Sequence, residues 1–536
     1  MKGTKVMRKF SSYGPVDKDM HFFVPREELV QKACTELIGE NPEKGGHFIT
    51  VWAPRQTGKT WIMRDVLWRL WDDERFHAVK LSMEYLKTVE DPDEIAQSIG
   101  KDIGEYLNIQ QNVRNMKELH DIFRKGILDR PLILILDEFD ALAEEAISGI
   151  AGVFRHIYNT RMESRAPSAS KPYLLHGVAL IGVRNVLGIE NQRGSPFNVQ
   201  RSMHIPNLTY EEVDSMFRWY EQESGQKIEQ DVIDRLFYET RGQPGLVSWM
   251  GELLTEGYKY FQPDRTRPVT SKEFDRVYQA AVQVLPNNNI LNIISKARQE
   301  QYKSLVIEFF RTREKIAFTF DDARYNFLYM NGVIDVERTD EGYFAKFPCP
   351  FVQKRLFNYF SHELFHYMGQ IFEPFEDISD TLTEQHLNIK NLIRRYEKHL
   401  KKNREWLLKD APGRKDLRVF EAVFHFSLYE YLNKFLQNKD ARVLPEFPTG
   451  NGKVDMIIRY AGEIYALELK SYTDESEFFK AQRQAAKYAE YLSLNTIHLI
   501  LFVESVPDEY RLKYETDYTD PETGITVSPV FAETGA

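Results

Sequence analysis

Two clusters in this sequence have the residue types and spacing to do phosphate chemistry. The first is split in two: Ala53-Pro-Arg55-Gln56-Thr57-Gly58-Lys59-Thr60, and further along Asp137-Glu138. The loop follows the apolar run HFITVW and opens a helical pattern, the context in which backbone N–H groups and a helix dipole cradle an anion. Lys59 supplies a point charge and Thr60 a hydroxyl for Mg²⁺. Ala53 stands where glycine is usual, which is tolerable if its φ is negative. Asp137 and Glu138 end the apolar run LILILD, where two adjacent carboxylates are costly unless they face a cleft or a cation. Asp137 is expected to hold Mg²⁺, directly or through water, and Glu138 to polarise an attacking water.

The second cluster lies in GNGKVDMIIRYAGEIYALELK, residues 450–470. If Ala461-Gly462 is a hairpin loop, Tyr460 faces Glu463, Asp455 faces Glu468 and Lys453 faces Lys470. Directly opposed like charges destabilise a sheet, and a shared divalent cation is the simplest reason to place them so. A slip of one residue would put Glu468 opposite Val454. The plainer alternative is an amphipathic strand with Tyr465, Leu467 and Leu469 inward and Glu468 and Lys470 in solvent.

Other residues carry less pattern. HGVALIGVRN ends in Asn185, which reads as a γ-phosphate contact or as a strand-end turn residue. Arg193 or Arg201 could reach a neighbouring subunit's phosphates, which would require a homo-oligomer, or could be surface residues. Pro244, in RGQPGLV, could lie against a nucleotide base. Asp140 could support the acidic pair or cap the next helix.

The elements around these residues follow from periodicity. From Phe22 to Ile205, apolar runs alternate with helical patterns, including helices near 93–107, 116–127 and 149–162. That predicts a parallel α/β sheet with LILILD as a central strand. Residues 206–260 read as helical, starting at the capping-box pattern Thr209 to Glu212. Residues 286–362 mix helices with a hairpin around Asp340-Glu-Gly342, and 380–410 form a charged helix stopped at Ala411-Pro-Gly413. From 415 to 505 the order is helix, strand, strand, helix, strand, with Glu421 in the first helix and Gln484 and Tyr488 on one face of the second.

The motifs HFFVPREELV, APRQTGKT, LILDEFD, ALIGVRN, SPFN and RGQPGLV, in that order over residues 20–260, resemble AAA-like P-loop ATPase modules near the signalling (STAND) branch of prokaryotic proteins. The resemblance implies ATP as ligand, a helical lid and a following winged-helix domain, with which 286–362 is compatible. Residues 413–505, with Glu421, Asp455, Glu468-Leu-Lys470 and Gln484, resemble the PD-(D/E)XK phosphodiesterase fold. That resemblance implies Mg²⁺ on Asp455 and Glu468, Lys470 positioning water or offsetting phosphate charge, and Glu421 and Gln484 in support. The fold class expected is therefore multidomain α/β. A polar tail (1–20) precedes a parallel-sheet P-loop ATPase core (21–205) and a helical lid (206–285). A winged-helix-like domain (286–372), a charged helical linker (373–412), a restriction-endonuclease-like α/β domain (413–510) and a tail (511–536) follow.

Composition sets limits on function. The net charge of −10 gives no global polyanion-binding signature. Residues 389–418 nonetheless hold eleven Lys/Arg against four Asp/Glu, which reads as a nucleic-acid contact, most simply DNA, or as a solvated linker helix. Two cysteines, Cys34 and Cys349, suit a reducing cytoplasm and neither a disulfide framework nor a zinc site. The first residues lack the apolar core of a secretory signal, and no stretch approaches the ~20 apolar residues of a membrane span. The function expected is a P-loop ATPase coupled to a Mg²⁺-dependent nuclease. The competing reading is an ATP-dependent assembly switch whose C-terminal domain is an inactive nuclease fold that binds nucleic acid or protein.

Overall fold

The computed structural model describes residues 7–14, 16–110, 112–182, 201–258, 262–311, 315–365, 368, 371, 376–407, 421–447, 455–472 and 474–535, with backbone alone at 311, 404–407 and 421–422. The chain begins with α1 (Glu27–Ile38), β1 (Phe48–Trp52), α2 (Lys59–Trp71), β2 (His77–Ser82), α3 (Pro92–Leu107), β3 (Leu132–Asp137), α4 (Glu144–Glu163), β4 (Leu175–Gly182) and β5 (Arg201–His204). Then come α5 (Tyr210–Ser224), α6 (Gln230–Thr240), α7 (Pro244–Thr255), α8 (Ser271–Gln283), α9 (Asn288–Ala297), α10 (Glu300–Arg311), β6 (Ile316–Ala317), α11 (Ala323–Met330), β7 (Asp335–Thr339), β8 (Gly342–Lys346) and α12 (Pro350–Phe365). The last elements are α13 (Ile389–Leu407), α14 (Glu421–Phe435), β9 (Ala441–Glu446), β10 (Asp455–Tyr460), β11 (Glu463–Ser471), α15 (Glu475–Tyr491), β12 (Thr496–Val503), α16 (Asp508–Tyr514), β13 (Tyr518–Thr519) and β14 (Thr526–Glu533). Two compact units divide this chain: Met1–Ile293 with Thr319–Ile334, and Ile294–Phe318 with Asp335–Ala536.

The first unit is built on a parallel sheet of order β2-β3-β4-β1-β5. All six residues of β3 and all eight of β4 are buried, so these strands carry no alternating pattern. Ile133 and Ile135 pack toward α1 and α2, while Leu132, Leu134 and Leu136 pack toward α3 and α4. The side-chain alternation of one strand thus ties both helical layers to the sheet. α3 starts where Asp91 caps Asp93 N–H and Pro92 presets the first turn. The expected helix near 116–127 is instead a short 3₁₀ turn, Leu119–Phe123. The lid, α5 to α8, opens on a reciprocal capping box between Thr209 and Glu212, as expected, and α8 repeats it with Thr270 and Glu273.

Residues 7–20 are not the polar tail the sequence suggested. Phe10 is buried, with its ring 4.8 Å from Phe217 and 5.6 Å from Tyr220 on α5. Arg8 pairs with Glu223 of α5 at 2.6 Å, and Lys18 with Asp65 of α2 at 2.7 Å. One buried ring is enough to anchor an otherwise polar segment.

The second unit contains an antiparallel three-stranded sheet, β6-β8-β7, and a six-stranded mixed sheet of order β13-β14-β12-β11-β10-β9. The β7–β8 hairpin closes through Asp340-Glu341, as expected. Residues 286–372 do not form one unit, because Thr319–Ile334 falls with the first and its flanks with the second. In the larger sheet, α15 covers the face that carries Ala466, Leu499 and Leu501. The Phe424 ring of α14 stacks on Phe502 from the other face. β9, an edge strand with Pro445 inside it, was not anticipated. Residues 511–536 are likewise no tail: β14 lies between β12 and β13 and pairs with β12 over eight positions, Thr496↔Thr526 to Val503↔Glu533. The charged helix spans 389–407, later than expected, because Asn388 accepts from Asn391 N–H and caps it; its expected stop at 411–413 lies outside the described residues.

Removing everything after Pro507 would expose the edge of β12 and the cluster containing Val527 and Phe531. Such a chain is expected to be insoluble or to lose one of the unfolding transitions of the full chain, as read by calorimetry.

Candidate functional site

The loop between β1 and α2 turns through two residues of positive φ, Gln56 (59°) and Gly58 (92°). Ala53 is not among the positive-φ positions, which is why alanine can replace glycine there. Gly58 is the N-cap of α2 and no side chain caps that terminus. The first N–H groups of α2 therefore face the loop without an internal partner, the arrangement an oxyanion fits. Lys59 Nζ donates to the carbonyls of Ala53 (2.6 Å) and Pro54 (2.8 Å). Desolvation draws its pKa down to about 8, against the opposing pull of Asp140 and Asp137. Thr57 Oγ1 bonds Pro54 O at 2.9 Å and rigidifies the turn, while Arg55 and Thr60 are exposed.

The lid reaches the same loop. Gln243 Nε2 donates to the carbonyls of Arg55 (3.1 Å) and Gln56 (3.4 Å), and Gly245 N–H to Gln56 O at 3.0 Å. Pro244, the first residue of α7, sits between these two contacts. A Cβ on Gly245 would come within 2.5 Å of Gln56 Oε1, so the close approach requires glycine.

Asp137 ends β3 and is buried. Its Oδ2 is 2.8 Å from Lys80 Nζ and its Oδ1 accepts Glu138 N–H at 3.1 Å. Glu138 takes a left-handed conformation, φ 56°, that turns its side chain out of the strand. Ser82 Oγ donates to Glu138 Oε2 at 3.0 Å. Burial, then Glu84 and Asp137, push the Glu138 carboxyl above its ordinary range. Sequence reasoning missed Lys80 and Ser82; their signal was the parallel register that sets Ser82 beside Asp137. Asp140 lies against the end of β4, where a Cβ on Gly182 would be 2.7 Å from its Oδ1. Asn185 and Arg193 lie outside the described residues. Arg201 opens β5 level with Ile49, three residues before β1 ends, and pairs with Glu36 at 2.9 Å. The structure does not bring it to its own chain's phosphate loop.

In the second unit, the hairpin register is the one expected. Asp455 faces Glu468, Tyr460 faces Glu463, and Ala461 (φ 52°) and Gly462 (φ 84°) form the loop. Asp455, Glu468 and Lys470 are each only 4% exposed, which removes the solvated amphipathic-strand reading. Both faces of β11 are buried from Tyr465 to Lys470. Lys470 Nζ lies 2.8 Å from Glu468 Oε1, while the buried Glu468 Oε2 has no hydrogen-bond partner among the described residues. Such an orphaned oxygen fits a water or a cation. Glu446, missed from the sequence, extends the row, since it faces Asp455 across β9 and β10 and pairs with the buried Lys354 at 2.9 Å. No group of three or more His, Cys, Asp or Glu side chains converges to hold a metal among the described residues.

One expected helper is placed differently. Gln484 is exposed on α15, because Phe478, Ala481, Gln482, Ala485 and Ala486 take the sheet-facing positions. Glu421 begins α14, and Lys453 lies outside the described residues. The basic helix also differs from the free face expected. Lys390 and Arg394 pair with Glu515, Arg395 with Glu376 and Asp380, and Lys401 with Glu397 and Glu533. Four of its basic residues are thus met by carboxylates, of which Glu515 and Glu533 are distant in sequence. Cys34 and Cys349 are both buried, and neither is in a disulfide. No helix among the described residues is long and apolar enough to cross a membrane.

Residues 11–262 match the family model described as "AAA-like domain". No curated protein matches the chain. Among solved structures, the chain is similar to the Walker-type ATPase PabY2304 of Pyrococcus abyssi, at 15% identity and TM-score 0.43, covering 65% of this chain and 99% of that one. It is also similar to the Aeropyrum pernix Orc1 protein in complex with DNA, at 16% identity and TM-score 0.34, covering 66% and 97%. A third similarity is to the Thermotoga maritima RuvB Holliday junction branch migration motor, at 14% identity and TM-score 0.31, covering 60% and 92%. The phosphate loop and the acidic strand end both lie within residues 11–262, the part of the chain that matches the AAA-like domain model.

Two expectations follow. Lys59 is charged below its pKa of about 8 and loses that charge as pH rises. Nucleotide affinity should therefore weaken by about tenfold between pH 7 and 9, and a flat profile in calorimetric titration would rule this out. Replacing Lys470 by Met leaves a buried carboxylate unpaired and should cost about 3–5 kcal/mol. Glu468→Leu/Lys470→Met should recover most of that loss in urea unfolding.

Proposed function

We propose that this protein is a Mg²⁺-dependent ATPase whose second unit cleaves phosphodiester bonds in DNA under control of the first. The uncapped start of α2 beside Lys59, with Asp137 and Glu138 at the end of β3, carries the ATPase half. The α2 N–H groups and Lys59 would take the β- and γ-phosphates. Thr60 and Asp137 would hold the Mg²⁺, which when bound offsets phosphate charge. Glu138, its carboxyl raised above the ordinary range by burial, would accept a proton from the attacking water at Oε2, the oxygen that Ser82 holds. Arg201 is the described candidate for reaching into a neighbouring copy, which would make the active form a homo-oligomer.

The buried pair Asp455 and Glu468 in direct register, with an orphaned Glu468 oxygen, supports the phosphodiesterase half. Here Lys470 would orient water or offset phosphate charge. A second reading is an ATP-dependent assembly switch whose C-terminal unit binds nucleic acid or protein without cutting it. The exposed Gln484 and the internally paired basic helix favour that reading.

The experiment is cleavage of linear and supercoiled DNA and of RNA with Mg²⁺, with and without ATP. Wild type, Lys59→Ala and Glu468→Ala are compared. Cleavage lost in Glu468→Ala, and ATP hydrolysis lost in Lys59→Ala alone, is the expected outcome. Intact ATP hydrolysis with no cleavage by folded wild type would leave the switch. Absence of both activities would overturn the whole reading.

A further inference from the structure

The carboxylate expected to receive the metal already has a partner in this fold. Lys80 and Ser82 lie two residues apart on β2, the edge strand of the first sheet, so they share a face. The register Ser82↔Asp137 sets them beside the end of β3. Ser82 grips Glu138, and Lys80 Nζ sits 2.8 Å from Asp137 Oδ2. The other oxygen of Asp137 accepts the Glu138 N–H. Lys59, the other cation nearby, is turned toward the carbonyls of Ala53 and Pro54. The direct counter-charge of Asp137, whose side chain is 5% exposed, is therefore Lys80 and not the phosphate-loop lysine.

A buried carboxylate needs one cation, and a second cation on the same oxygen is repelled by the first. We propose that Lys80 is a positioning residue that holds Asp137 and keeps the bare site from taking a divalent cation before nucleotide arrives. Bound phosphates bring the extra negative charge that lets metal and Lys80 share the site, so the metal enters with the nucleotide. This rests on the ATPase reading above and concerns only the order in which its components assemble. Lys80 touches neither nucleotide nor water in this scheme; it acts through Asp137.

The test uses the full chain in a Glu468→Leu/Lys470→Met background, which removes the second unit's candidate metal ligand, with the otherwise unchanged chain as its wild type beside Lys80→Met, Lys80→Arg and Lys80→Met/Asp137→Asn. Thermal unfolding is followed against Mg²⁺ alone at constant ionic strength, without nucleotide. Lys80→Met should be stabilised by Mg²⁺ by a few degrees, with a half-saturating concentration about tenfold or more below that of wild type. Lys80→Arg should behave as wild type, and the double variant should lose the Mg²⁺ response, since the carboxylate that needs a cation is gone. If Lys80→Met fails to fold in the absence of Mg²⁺, Lys80→Gln replaces it. A Mg²⁺ response identical in wild type and Lys80→Met, or one that survives in the double variant, would overturn the proposal. Calorimetric titration of wild type with ADP and Mg²⁺ runs alongside. Wild type that binds no ADP there would overturn the nucleotide reading, whichever way the Lys80 variants respond.

Discussion

A carboxylate buried on an apolar strand must be met by a cation, and the larger sheet of each unit meets that requirement. In the first unit the strand is β3, the carboxylate Asp137 and the cation Lys80 from the neighbouring strand. In the second the strand is β11, the carboxylate Glu468 and the cation Lys470 from two residues on. Glu446 repeats the pattern with Lys354. Desolvating a charge costs several kcal/mol, so these pairs fix which side chains point into each site.

In the first unit the constraint propagates to backbone. Buried on both faces, β3 can only leave its carboxylates at the strand end, where Glu138 swings out through a left-handed φ. The same end of the sheet holds the uncapped start of α2, so a polyanion and the acidic residues share one neighbourhood. The lid is fixed to that neighbourhood through Gln243 and Gly245 on the carbonyls of the phosphate loop. The N-terminal segment holds lid and sheet layer together from behind, with Arg8 on α5 and Lys18 on α2.

Local periodicity made much of this legible. The apolar run of β3 and the capping box at Thr209 state their structures outright, and the Asp455–Glu468 register followed from one assumption about a two-residue loop. What stayed hidden depends on partners far along the chain. Lys80 and Ser82 look like ordinary alternation until β2 is set beside β3. β14 reads as part of a polar end until β12 supplies its ladder. The basic run of α13 looks like a free surface because Glu515 and Glu533 lie more than a hundred residues away. Gln484 shares a helix face with Tyr488, but periodicity alone does not say which face the sheet takes.

Chain connectivity adds a further property. Thr319–Ile334 belongs to the first unit although residues on either side belong to the second. Within the first unit this segment lies on the phosphate loop: the Tyr329 ring is 5.8 Å from Trp52, and a Cβ on Gly332 would be 3.0 Å from Pro54. Its two ends run directly into β6 and β7, strands of one small sheet in the second unit. The covalent chain therefore passes from one unit to the other three times. The segment beside the phosphate loop is thus continuous, through its own backbone, with two strands of that sheet.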